Sequence, residues 1–155
     1  MSRRITKPVY LGKQKVGGTA PISVQSMTKT DTRDIKSTVN QIKELEEYGC
    51  EIIRCAVPDM EAAKALKEIK QSINIPLVAD IHFHHELALE SIRSGVDCLR
   101  LNPGNIRDSQ KVKEVVTLAK EREIPIRIGV NFGSLPPVGQ IGQTRSASRG
   151  KDGVN

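Results

Sequence analysis

Three arginines interrupt runs that are otherwise apolar. Arg54 lies in "EIIRCAVP", Arg100 in "LRLNPGN" and Arg127 in "PIRIGVN". A guanidinium stays ionised, and burying one without a partner is costly. Guanidiniums that converge repel each other unless an anion joins them. A ligand with several negative oxygens, such as a phosphate or diphosphate, resolves that conflict by taking their N–H groups in pairs. The competing reading gives each arginine a local carboxylate, with Asp80, Asp97 and Glu51 at hand.

Further polar residues cluster around the same runs. Gln25, Ser26 and Thr28 stand in "VQSMT", Asp80 and His82 in "ADIHFHH", Asn102 and Asn105 in "LNPGN", and Asn131 in "VNFGS". Asn102, Gly104 and Asn105 suit a tight turn that offers backbone N–H groups to a ligand; the alternative is a plain loop. His82 and His84 form an H-x-H pair that could hold a metal on one side of a strand. Such sites draw further histidines from later strands, and none follows His85. His82 is therefore read as a polar or acid–base group beside the anion, with His84 and His85 opening the next loop and helix. Cys50, Cys55 and Cys98 match neither a C-x-x-C redox pair nor a zinc ribbon, and are read as reduced core thiols.

The elements that must position these groups alternate regularly. Short apolar runs at Ile22–Met27, Ile52–Val57, Pro76–Ile81, Cys98–Leu101 and Ile126–Val130 read as strands. Between them, 35–48, 60–72, 86–94 and 109–122 carry helical stripes. Asp59 and Asp108 are placed as N-caps, and Gly49 and Gly95 as stops. Strand period puts Arg54 on the face of Ile52 and Ala56, away from Ile53, Cys55 and Val57. Alternating strands and helices mean parallel strands, with function at their carboxyl ends. A doubly wound nucleotide-binding sheet would show a glycine-rich turn after its first strand. "TKTDTRD" follows instead, which favours a barrel. The expected fold is α/β: a partial (β/α)8 TIM barrel of about five units, where a complete one takes about 250 residues. The chain reads as cut short.

Three regions follow from this pattern. Residues 1–21 contain "VYLGKQKVGG", read as a hairpin around a Gly-Lys-Gln-Lys turn that could plug the barrel's amino end. Residues 22–134 form the partial barrel. Residues 135–155, rich in Pro, Gly, Ser and Arg, read as a disordered or aberrant tail. The net charge of +6 sits at the two ends, and aromatics are 3% of the 155 residues, a poor match to a nucleic-acid binder. No apolar run approaches the roughly 18–20 residues of a membrane span, and no signal segment opens the chain, so a cytoplasmic location is expected.

"PISVQSMT", "EIIRCAVP", "PLVADIHF", "LRLNPGN" and "PIRIGVNFGSL" together resemble the amino-terminal barrel of the bacterial 4-hydroxy-3-methylbut-2-enyl diphosphate synthase family. The resemblance is colinear from about residue 4 to 135. It implies reductive ring opening of 2-C-methyl-D-erythritol 2,4-cyclodiphosphate, with loss of water, in non-mevalonate isoprenoid biosynthesis. Carried over by position, it implies that Arg54, Arg100 and Arg127 hold the diphosphate. Asp80, His82, Asn102, Asn105 and Asn131 would line the same mouth, with Gln25, Ser26 and Thr28 at the first strand. It also implies a [4Fe–4S] cluster on a second domain, bound by three cysteines and a glutamate absent from this chain. The electron donor would be ferredoxin or flavodoxin, and the full-length protein a homodimer. The expectation is an iron–sulfur oxidoreductase, with this chain its diphosphate-binding part and inactive alone. Two alternatives stay open: a phosphate-binding barrel lyase or isomerase without iron, and a non-functional truncated remnant.

Overall fold

Among the described residues, three of the four helices begin where an aspartate can take an orphan backbone N–H. The computed structural model describes residues 4–82, 84–102 and 108–129. Asp34 caps α1 (Ile35–Glu47), Asp59 caps α2 (Met60–Gln71) and Asp108 caps α4 (Ser109–Glu121), each accepting from an N–H in the first turn. Helix α3 (His85–Arg93) starts after His84 without a side-chain cap. Gly49 and Gly95 follow α1 and α3 at positive φ, the left-handed conformation that ends a helix at little cost to glycine.

Five strands separate the helices: β3 (Gln25–Met27), β4 (Ile52–Val57), β5 (Leu77–Ile81), β6 (Cys98–Leu101) and β7 (Ile126–Ile128). They form one parallel sheet whose spatial order is the chain order, β3-β4-β5-β6-β7. A doubly wound sheet reverses direction; this one does not, so right-handed crossovers put every helix on the same face. Ile53, Cys55, Val57, Leu77, Ala79, Ile81, Leu99 and Leu101 turn to that face and pack with α1–α4 in the main core. The other face is the inside of a barrel. The architecture is a partial TIM barrel.

Strand β3 is shorter than the apolar run Ile22–Met27. Ile22 and Val24 are exposed, and the N–H of Val24 goes to the Glu51 carboxylate at 2.7 Å rather than to a strand. The hairpin is present as β1 (Val9–Leu11) and β2 (Gln14–Val16), antiparallel. Its turn is tighter than expected: Gly12 and Lys13 alone separate the strands, with Gly12 at positive φ, while Gln14 and Lys15 belong to β2. Leu11 packs on Ile52, Val78 and Cys98 at the inner face, and Gln14 Nε2 donates to Ser23 Oγ at 3.1 Å. The hairpin therefore covers the amino end of the inner face, and among the described residues the carboxyl end is left open.

A hydrogen bond between the two outermost strands reports the curvature. Arg127 Nη1 on β7 donates to Gln25 Oε1 on β3 at 3.0 Å. Four inter-strand spacings amount to about 19 Å in a flat sheet. An arginine and a glutamine cannot bridge that together, so the sheet is strongly curled around its inner face.

Candidate functional site

Register brings the chemistry to one level. Ala56, Asp80, Arg100 and Arg127 are Cα partners across β4 to β7, on the inner face and toward the carboxyl ends of the strands. Asp80 is only 2% exposed, and Arg100 is 7% exposed. Arg100 Nη1 donates to Asp80 Oδ1 at 2.9 Å. Arg54 Nε stands 3.4 Å from Asp80 Oδ2, buried and without a hydrogen bond of its own among the described residues. Its Nη2 points at Met27 Sδ, 3.2 Å away. His82 Nε2 lies 3.3 Å from Asp80 Oδ1 and 3.4 Å from Arg100 Nη1. As a donor that nitrogen serves Asp80; as an acceptor it serves Arg100.

Two guanidiniums thus share one buried carboxylate. The local-carboxylate reading holds for Arg100, but one acid cannot neutralise two arginines, and the cluster keeps an excess positive charge. Asp80 and Arg100 form its closed back. The Arg54 and His82 side chains, 27% and 39% exposed, form its open front. Such a site has a rigid charged floor and donors facing solvent, the arrangement that binds an anion with several oxygens.

Arg127 goes elsewhere. It starts level with Arg100, but its side chain runs toward the amino end to reach Gln25. There Arg127, Gln25, Lys7, Leu11, Ile52 and Cys98 line a cavity of about 730 Å³ beneath the hairpin. Gln25 is accordingly the partner of Arg127 and not of the cluster. Ser26 and Thr28 are also placed apart from it. Ser26 is in register with Ile53, so it faces the helices, and the buried Thr28 hydroxyl donates to Cys55 Sγ at 3.5 Å on that same side. Asn102 follows β6 on the Arg100 side of the alternation and is buried. Asn105 and Asn131 lie outside the described residues, as does the segment 135–155. Met27, not singled out by sequence, is the β3 residue that meets Arg54. Its signal is alternation with Ser26 once the inner face is known.

At the rim, Arg33 bridges two loops. It reaches Asp31 in its own loop at 2.6 Å and Asp59, the cap of α2, at 3.1 Å. Hydrogen bonds from Arg33 hold the Asp31 carboxyl down to about 2. Gln41 and Thr38 of α1 tie the rest of this loop through Lys29 N and Thr30 Oγ1.

The three thiols do not form a cluster site. Cys55 faces the helices, Cys98 faces the inner side, and Cys50 Sγ donates to Ile52 O at 3.1 Å. Burial pushes the Cys55 and Cys98 thiols up to about 11, keeping them protonated, whereas a metal takes the thiolate. Among the described residues no three His, Cys, Asp or Glu side chains are grouped to hold a metal ion. No helix among them is long and apolar enough to cross a membrane.

The profile of the GcpE TIM-barrel domain matches residues 6–147 of this chain. A 4-hydroxy-3-methylbut-2-en-1-yl diphosphate synthase (flavodoxin) of Dehalococcoides mccartyi is 67% identical over 136 residues, covering 88% of this chain and 39% of that protein. Enzymes of the same name from Thermodesulfovibrio yellowstonii and Clostridium perfringens are 62% and 59% identical, over 88% and 87% of this chain and 39% of each relative. The chain spans about two-fifths of the length of these curated relatives. Among solved structures, the dihydropteroate synthase of Yersinia pestis superposes with a TM-score of 0.59 at 10% identity, over 78% of this chain and 45% of that one. That of Vibrio fischeri gives 0.58 at 11% identity, over 79% and 48%. Those two likenesses concern the fold alone.

Proposed function

The chain belongs to the GcpE TIM-barrel domain family, and from that premise we propose that it is the diphosphate-binding part of a 4-hydroxy-3-methylbut-2-enyl diphosphate synthase. The whole reaction is the two-electron reductive opening of 2-C-methyl-D-erythritol 2,4-cyclodiphosphate, with loss of water, in isoprenoid biosynthesis. The observation that carries this reading is the Arg100–Asp80–Arg54 cluster: two cations on one buried carboxylate, open toward the carboxyl ends of the strands.

In this reading Asp80 fixes Arg100, whose remaining N–H groups and those of Arg54 meet the diphosphate. His82 stands at the open front, where it can donate to a phosphoryl oxygen. Asn102 lies on the Arg100 side of β6, the family resemblance assigns Asn105 and Asn131 to the same ligand, and Arg127 joins the site on release from Gln25. Flavodoxin, named for the relatives, is the electron donor. The [4Fe–4S] cluster that would supply electrons at the substrate needs ligands from outside the described residues. The cluster, the homodimer and inactivity of this chain alone belong to the same proposal.

Calorimetric titration of the chain with the cyclic diphosphate tests it. Arg100→Leu removes a charge-assisted contact and is expected to weaken binding about tenfold or more. Equal affinity in the two proteins would refute the role given to Arg100.

A further inference from the structure

The Arg100 head rests on a residue without a side chain. Gly129 follows β7 directly, and its N–H donates to Leu101 O at 2.9 Å, extending the β6–β7 ladder by one bond. Its φ is not in the left-handed region, so the main chain does not demand glycine there. Space does. A Cβ at Gly129 would stand 2.5 Å from Arg100 Nε, 2.9 Å from Nη2 and 3.1 Å from Cζ. The Gly129 carbonyl also accepts from Arg100 Nη2 at 3.4 Å. The guanidinium is thus clamped between Asp80 on β5 and the bare Cα of Gly129 beyond β7. A side chain at 129 would meet the far end of a flexible residue. It would displace the guanidinium from Asp80 and leave the strands in place.

We propose that Gly129 is a positioning residue of the anion site. Its missing side chain is the slot that sets the plane of the Arg100 guanidinium, and so the direction in which the free N–H groups face a diphosphate-type anion. The ligand half of this inference rests on the function proposed above; the geometric half does not.

The test is Gly129→Ala in the 155-residue chain, alone and combined with Arg100→Lys. The Arg100 Nε–H resonance is identified by its loss in Arg100→Lys. In Gly129→Ala it is expected to shift and to exchange faster with water, while backbone amides away from β6 and β7 keep their positions. Inorganic pyrophosphate is expected to bind about tenfold more weakly to Gly129→Ala, with no further loss when the change is added to Arg100→Lys. An unmoved Arg100 Nε–H overturns the proposal. So does an undiminished effect of Gly129→Ala in the Arg100→Lys background, because Gly129 would then act on another group. Should Gly129→Ala not fold by itself, the narrower lysine head is expected to restore folding, and failure to do so also overturns it. If the unaltered chain takes up no pyrophosphate, the anion reading and the ligand half fall together, while the Nε–H resonance still decides the positioning.

Discussion

A single carboxylate, Asp80, faces Arg100 at 2.9 Å and Arg54 at 3.4 Å, and both arginines depend on it for their placement. Removing one partner from a buried ion pair leaves an uncompensated charge, which costs about 3–5 kcal/mol. Asp80→Asn is therefore expected to lower stability in urea unfolding by about 3 kcal/mol. Added pyrophosphate should return part of that loss, because an anion that binds only the folded chain stabilises it. The cationic character of the site was legible in "EIIRCAVP" and "LRLNPGN", since an arginine among aliphatics is a local fact. The direction of Arg127 was not. It depends on how far the sheet curls and on which strand ends beside it, and neither is written in "PIRIGVN".

At the scale of elements, the rim loop after β3 is held by charge as well as by α1. Arg33 joins Asp31 to Asp59, and the Asp31 carboxyl is held from its ordinary 3.8 down to about 2 by that arginine. A lowered folded value means stabilisation present above the ordinary value and lost as pH falls through the folded one. The stability difference between the unaltered chain and Asp31→Asn should therefore be steady above pH 4 and vanish toward pH 2, as read by thermal unfolding across that range. Strand β4 matched its apolar run to the residue, because β3 pairs with Ile52–Arg54 on one side and β5 with Ile53–Val57 on the other, and together they cover it. Strand β3 fell short of its run because a side chain, Glu51, took the Val24 N–H that a neighbouring strand would have needed. Hydrophobic pattern counts apolar residues and cannot see that capture. The same limit hid which of Gln25, Ser26, Met27 and Thr28 face inward. Alternation fixes two sets, and only the register with Arg54 says that Gln25 and Met27 are the inner pair.

For the whole molecule, the unreversed strand order decides the architecture. Among the described residues, five parallel strands in chain order, all helices outside and a hairpin under the inner face leave one open end for a ligand. The three cysteines belong to the packing: Cys50, Cys55 and Cys98 are all buried. They are expected to resist alkylation at pH 8 until the chain unfolds, and rapid labelling of any of them in the folded protein would show a looser core than described. The central claim is that the inner face of this chain, at its open end, holds a cyclic diphosphate through Arg100 and Arg54. The most direct measurement is phosphorus NMR of 2-C-methyl-D-erythritol 2,4-cyclodiphosphate titrated with the chain. Both phosphorus resonances are predicted to shift saturably, and Arg100→Leu to abolish most of the shift at equal concentration. Resonances that stay in place, or shifts of the same size with Arg100→Leu, would contradict it.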